Sequence, residues 1–92
     1  ELEIDLHIHE LIDHYTHLSN HEIVQIQLHH FQKALDKAIN EHFRKLVVIH
    51  GVGKLRLKQE VLNILATYPN LKYHDASYAK YGFGATEILI VQ

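Results

Sequence analysis

The chain has 92 residues, a formal net charge of -2 and 47% hydrophobic residues, which fits one small domain with a single core. It has no cysteine, which excludes a disulfide framework and any thiolate site and leads us to expect a reducing, cytoplasmic setting. No apolar run approaches the roughly 20 residues of a membrane helix, and an acidic start replaces the basic one of a signal peptide.

Charge is unevenly placed. Residues 1–22 hold six acids and no Lys or Arg, whereas residues 23–92 hold nine Lys/Arg against five acids. The ten histidines add positive charge as pH falls toward about 6. There is no methionine, even at position 1, so we expect a single domain over residues 1–92 taken from a longer protein.

Leu2, Ile4, Leu6 and Ile8 alternate with Glu3, Asp5, His7 and His9. That period of two predicts an edge strand with Asp5, His7 and His9 on one face. Residues 10–19 have no clean period and read as a surface loop with room for one helical turn. Ser19 and Glu22 form a capping box. Behind it Val24, Leu28, Phe31, Leu35, Ala38 and Ile39 repeat at helical spacing, which predicts a helix from about Asn20 to His42.

Leu46 to Ile49 is a β-branched run, so a strand buried on both faces. His50-Gly51-Val52-Gly53 follows, and a second helix is expected over Lys54 to Tyr68, stopped by Pro69-Asn70. Leu71 to Tyr78 is a polar edge strand candidate. Ala79 to Gly84 turns the chain, and Thr86 to Val91 is the second apolar strand. The order is β-α-β-α-β-β. Right-handed crossovers put both helices on one sheet face. Ranking the strands by apolar character gives the order 1-2-4-3, with strand 4 antiparallel to its neighbours. The fold class is therefore an α/β two-layer sandwich with a mixed four-stranded sheet.

All four glycines lie in two loops, His50-Gly51-Val52-Gly53 and Gly82-Phe83-Gly84. In this topology strand 2 ends where strand 4 begins, so the loops meet at the end of the sheet where open α/β folds keep their sites. A glycine loop opening a helix favours anions, with Lys54, Arg56 and Lys58 adding charge. It is neither a P-loop nor a full dinucleotide fingerprint, and a ligand-free tight turn uses the same residues.

His7 and His50 fall near the ends of adjacent parallel strands. They are candidates for general base and acid in phosphodiester cleavage, with Asp5 as orienter through a loop or water. Exposed polar residues at a strand end are the plainer reading. His7 and His9 could also pair on a metal, with Asp5 or His14 as third ligand, although H-x-H arises readily by chance in so histidine-rich a chain. Tyr78 and Tyr81 flank the second loop and could stack on bases or cover the sheet edge.

Asp5-Leu6-His7, His50-Gly51-Val52-Gly53 and Gly82-Phe83-Gly84-Ala85-Thr86, in this order and with helices between, resemble the Smr (small MutS-related) domain. The resemblance spans Ile4 to Val91. It implies a two-layer fold similar to the C-terminal half of bacterial translation initiation factor three. It also implies nucleic-acid binding and, in several members, DNA nicking or RNA endonuclease activity. Asp5 and His7 match the family's L-D-x-H signature. His50, Gly51 and Gly53 match H-G-x-G, and Gly82 and Gly84 match the closing turn.

The chain departs from the pattern in three places. Ile4 stands for the usual leucine. A long His-rich connection covers residues 8–20. Leu55 replaces a further glycine, and Lys58 stands where arginine is usual, which keeps the charge but loses bidentate phosphate geometry. The expected function is a nucleic-acid-binding module. Its grip on phosphate would come from Gly51, Val52, Gly53, Lys54, Arg56, Lys58, Tyr81, Gly82 and Gly84, with weak endonuclease activity through Asp5, His7 and His50. The expected partners are DNA or RNA and the rest of a parent chain. No cofactor is expected, Mg²⁺ being the one addition a nuclease would bring. The rivals are a protein-interaction or assembly domain, favoured by the acidic first 22 residues, and a histidine-based metal enzyme.

Overall fold

A computed structural model describes residues 1–53 and 56–91. The elements run β1 (Leu2–Asp5), α1 (Ile8–Leu11), α2 (Asn20–Asn40), β2 (Lys45–Ile49), α3 (Leu57–Leu65), β3 (Leu71–Asp75), α4 (Tyr78–Tyr81) and β4 (Ala85–Ile90). The four strands form one sheet in the order β1-β2-β4-β3. β1 and β2 are parallel, and β4 is antiparallel to both β2 and β3. The expected topology stands, with two helical turns added.

The core lies between the sheet and the two long helices. Phe31, Leu35 and Ala38 of α2 and Leu57, Val61 and Leu65 of α3 pack with Leu46, Val48 and Ile88 of the central strands. All nine are fully buried. Full burial of side chains this size stabilises by roughly 1.5–3 kcal/mol each, so this layer dominates the fold. α2 begins at the anticipated capping box: the Glu22 amide donates to Ser19 Oγ at 3.1 Å and the Ser19 amide to Glu22 Oε1 at 2.9 Å. The bonds from Ser19 hold the Glu22 carboxyl below its ordinary pKa. α2 ends at Asn40, two residues before the expected His42. His42 takes a left-handed φ of 60°, and the Phe43 amide closes the turn on Ala38 O at 2.9 Å.

The opposite face of the sheet is partly open. Val47, Ala76 and Ala85 are buried there with Ile49 and Tyr81 against them. Beside this cluster runs a charge ladder: Lys45 Nζ lies 3.8 Å from Glu1 and 3.4 Å from Glu87, and His74 Nε2 lies 3.0 Å from Glu87.

Further boundaries differ from the sequence expectation. The first strand stops at Asp5 rather than running through His9. The Asp5 carboxylate accepts the His7 amide at 2.9 Å and bends the chain into α1, a local competition typical of Asp. Asp5, His7 and His9 therefore do not share one strand face. The third strand stops at Asp75 instead of Tyr78, because Ser77 begins the short turn α4: the Lys80 and Tyr81 amides both donate to Ser77 O. β4 starts one residue early, at Ala85. Finally, the expected helix from Lys54 to Tyr68 is seen as α3 over Leu57–Leu65, and Lys54 and Leu55 lie outside the described residues. No helix among the described residues is long and apolar enough to cross a membrane.

Candidate functional site

The two glycine loops do meet. The amides of His50 and Gly51 both donate to the carbonyl of Gly84 at 2.9 Å. The loops approach so closely that a Cβ on Gly84 would lie 3.3 Å from Gly51 Cα. The contact explains Gly84 without any ligand, and it engages two of the amides that a phosphate would otherwise use.

Asp5 and His7 form a direct dyad at the same end of the sheet. His7 Nδ1 donates to Asp5 Oδ1 at 2.6 Å, with no loop or water between them. The reach comes from the bend after Asp5, which an extended strand would not allow. With Nδ1–H on a carboxylate, the bare nitrogen of the neutral ring is Nε2. His7 Nε2 makes no hydrogen bond among the described residues and faces Gly51. At a φ of 82°, a Cβ on Gly51 would sit 3.0 Å from it. Gly51 is therefore required twice, for its left-handed backbone and for the space in front of His7.

His50 has the opposite environment. The residue is 3% exposed. Its Nδ1 lies 2.9 Å from Gly51 O, and its Nε2 lies 2.9 Å from Thr86 Oγ1. A carbonyl only accepts, so Nδ1 carries the hydrogen and Nε2 accepts from the threonine hydroxyl. Burial pushes the His50 pKa below its ordinary value, and the nearby positive charge of Lys58 adds to that. The ring is held neutral with both nitrogens occupied, pinning the first glycine loop to β4. His50 is therefore not one of the exposed strand-end residues of the plainer sequence reading.

The remaining expected residues divide. Lys58 Nζ is 3.1 Å from Asp75 Oδ1, so its charge is partnered on the α3–β3 side. Arg56 is exposed immediately before α3, and Lys54 lies outside the described residues. Tyr81 turns away from the loops: its hydroxyl donates to Glu3, and that bond raises the phenol pKa. Its ring covers Val47 and Ala85 of the central strands, on the open face of the sheet rather than at its edge. Gly82, with φ 64°, ends α4. The metal reading gains no support: His7 and His9 rings lie 5.6 Å apart, but no group of three or more potential ligands occurs among the described residues.

A cleft of about 480 Å³ opens between α1, the start of α2 and the first glycine loop. Ile8, Ile23, Val24 and Val52 line it beside His7, His9, Asn20, Gln27, His50, Gly51 and Gly53. The long connection over residues 8–20 thus builds one wall of the site. Sequence reading missed Gln27 and Thr86, although both carried a signal. Gln27 falls on the apolar stripe of α2, three residues after Val24 and four before Phe31. Thr86 is the polar residue in the inward series Thr86, Ile88, Ile90. Also missed was Phe83, 66% exposed, whose ring packs 4.7 Å from that of Tyr78.

The family model of the Smr domain matches residues 4–91. The chain belongs to the Smr domain family. A comparison with solved structures finds the Smr domain of Thermus thermophilus MutS2, with a TM-score of 0.75 and 22% identity over 100% of both chains. That likeness shows the shared fold. No curated protein matches the chain. In this Smr domain the three signature segments are the parts that the tertiary structure gathers: Asp5–His7, the loop from His50 to Gly53, and the Gly82–Thr86 turn.

Proposed function

We propose that this Smr domain binds nucleic acid at the sheet end where the glycine loops meet, with the Asp5–His7 dyad as a general base for phosphodiester cleavage. The observation that carries this is His7 Nε2, oriented by a carboxylate and open toward Gly51 and the cleft. The backbone would be held by the loop Gly51-Val52-Gly53 and by Arg56 and Lys54. Lys58 contributes less while it is paired with Asp75. His50 acts as a positioning residue for the loop rather than as the acid. On RNA, Nε2 would take the 2′-hydroxyl proton as O2′ bonds to phosphorus. The P–O5′ bond breaks, and the proton passes to O5′.

Labelled single-stranded and structured RNA and DNA, with and without Mg²⁺, test the proposal. Binding should weaken steeply with salt, because phosphate contacts release counterions. His7→Ala should lower cleavage at least 100-fold, within the range general-base catalysis contributes, while leaving binding nearly unchanged. Salt-insensitive binding, or cleavage that survives His7→Ala, would overturn it.

A second reading, a protein-interaction module within a larger protein, is favoured by the exposed apolar side chains of Val52, Tyr78 and Phe83. These stand on or beside the glycine loops, where a purely phosphate-gripping surface would be polar.

A further inference from the structure

Cleavage by in-line displacement calls for two proton-transfer groups. The attacking O2′ and the leaving O5′ stand on opposite sides of phosphorus, and one ring nitrogen, His7 Nε2, does not face both. Among the described residues, the titratable side chains lining the cleft are His7, His9 and His50. His50 is buried with both ring nitrogens hydrogen-bonded, so it has no free nitrogen to give a proton. Lys58 is paired with Asp75, and the Tyr81 hydroxyl is held by Glu3. That leaves His9.

His9 stands in α1, two residues after His7, because the chain bends at Asp5 instead of continuing as strand. The two rings lie 5.6 Å apart, tilted by 32°. With a hydrogen-bond reach of about 2.8 Å each, ring nitrogens at that spacing can engage two oxygens of one phosphodiester. Each ring has its own carboxylate: Asp5 Oδ1 lies 2.6 Å from His7 Nδ1, and Glu10 Oε2 lies 3.5 Å from His9 Nε2. A carboxylate only accepts, so those two nitrogens carry hydrogens. The nitrogens left over are opposite ones, Nε2 on His7 and Nδ1 on His9. The His9 side chain is 58% exposed, so it exchanges protons with water between turnovers. We infer that His9 is the general acid: its imidazolium Nδ1–H gives a proton to O5′ while His7 Nε2 takes the proton of the 2′-hydroxyl. O2′ bonds to phosphorus, and the P–O5′ bond breaks with its electron pair on O5′. The products are a 2′,3′-cyclic phosphate and a 5′-hydroxyl. Exchange with water then returns a proton to His9 and removes one from His7. The inference rests on the cleavage reading above and assigns the other half of its proton transfer.

The test compares two RNA oligomers that differ at one linkage, an ordinary phosphodiester or one with sulfur in place of the leaving O5′. The sulfur leaves as a thiolate without an acid, because a thiol has a pKa of about 8.5 against roughly 15.7 for water. His9→Ala should slow cleavage of the ordinary linkage at least about 100-fold and keep the sulfur linkage within about threefold of the unaltered domain. His7→Ala should slow both. Retained cleavage of the sulfur linkage shows at once that the His9 variant folds, and His9→Asn gives the same comparison if the alanine variant melts early. Equal loss on both linkages in a variant with an unchanged melt overturns the acid role. Full activity of His9→Ala on the ordinary linkage overturns any part for His9 and leaves the Asp5–His7 dyad standing. If the unaltered domain cleaves neither oligomer, the cleavage reading falls together with the inference.

Discussion

His7 and His50 carry the same ring in opposite surroundings. His7 keeps Nε2 open in front of Gly51, whereas His50 donates to Gly51 O, accepts from Thr86 Oγ1 and is 3% exposed. The burial of His50 has a sign. Its folded pKa lies below the ordinary 6.5, so below pH 6.5 the unfolded chain takes up a proton that the folded ring refuses. Stability from this group is complete above pH 6.5 and declines as pH falls from there toward the folded pKa. Melting temperatures measured across that window should fall less steeply for His50→Asn than for the unaltered domain. A Gly51→Ala change should cost about 1–3 kcal/mol through left-handed strain, and the added methyl would crowd His7 Nε2. A melt lowered together with lost cleavage is the expected pair of readings. A melt unchanged by the substitution would contradict the observed φ.

At the scale of elements, caps and turns decide where each segment stops. The Ser19–Glu22 box sets the start of α2, and Ser19→Ala should cost about 1 kcal/mol. In a domain of this size that lowers the melting temperature by roughly 4–8 °C. α2 also forms a wall of the cleft, so fraying its first turn should weaken ligand binding in the same variant. Helix periodicity, both apolar strands and the capping box were legible because they are repeated or local signals. The end of β1 was not. Leu6, His7 and Ile8 continue the alternation, and a single carboxylate-to-amide bond from Asp5 stops the strand. The strand alternation read through His9 likewise hid the fact that Ile8 and His9 belong to α1 and line the cleft.

For the whole molecule, the question is which kind of partner the glycine-loop end meets. Phe83 and Tyr78 pack together yet remain 66% exposed each, and Val52 is 73% exposed. Phe83→Ser should leave the melting temperature nearly unchanged, because an exposed side chain contributes little to the core. If nucleic acid is the partner and the ring stacks on a base, the variant should lose about 1–3 kcal/mol of single-strand affinity. If the patch instead serves protein association, sedimentation or pull-down with the parent chain should change while nucleic-acid affinity does not.

Composition and pattern by themselves determined the sheet order, the two-layer packing, the meeting of the glycine loops and the Smr signatures. Each follows from apolar periodicity or from residues close in sequence. Only the tertiary structure decided what the candidate site residues contact. It paired Asp5 with His7 directly, enclosed His50 against Thr86, drew Lys58 to Asp75, turned Tyr81 toward Glu3 and left the Gln27 side-chain oxygen with no hydrogen-bond partner among the described residues. Burial sets the protonation of His50, and the hydrogen-bond partners set the exposed nitrogen of His7. Most of those partners come from segments far apart in the chain, which periodicity does not record.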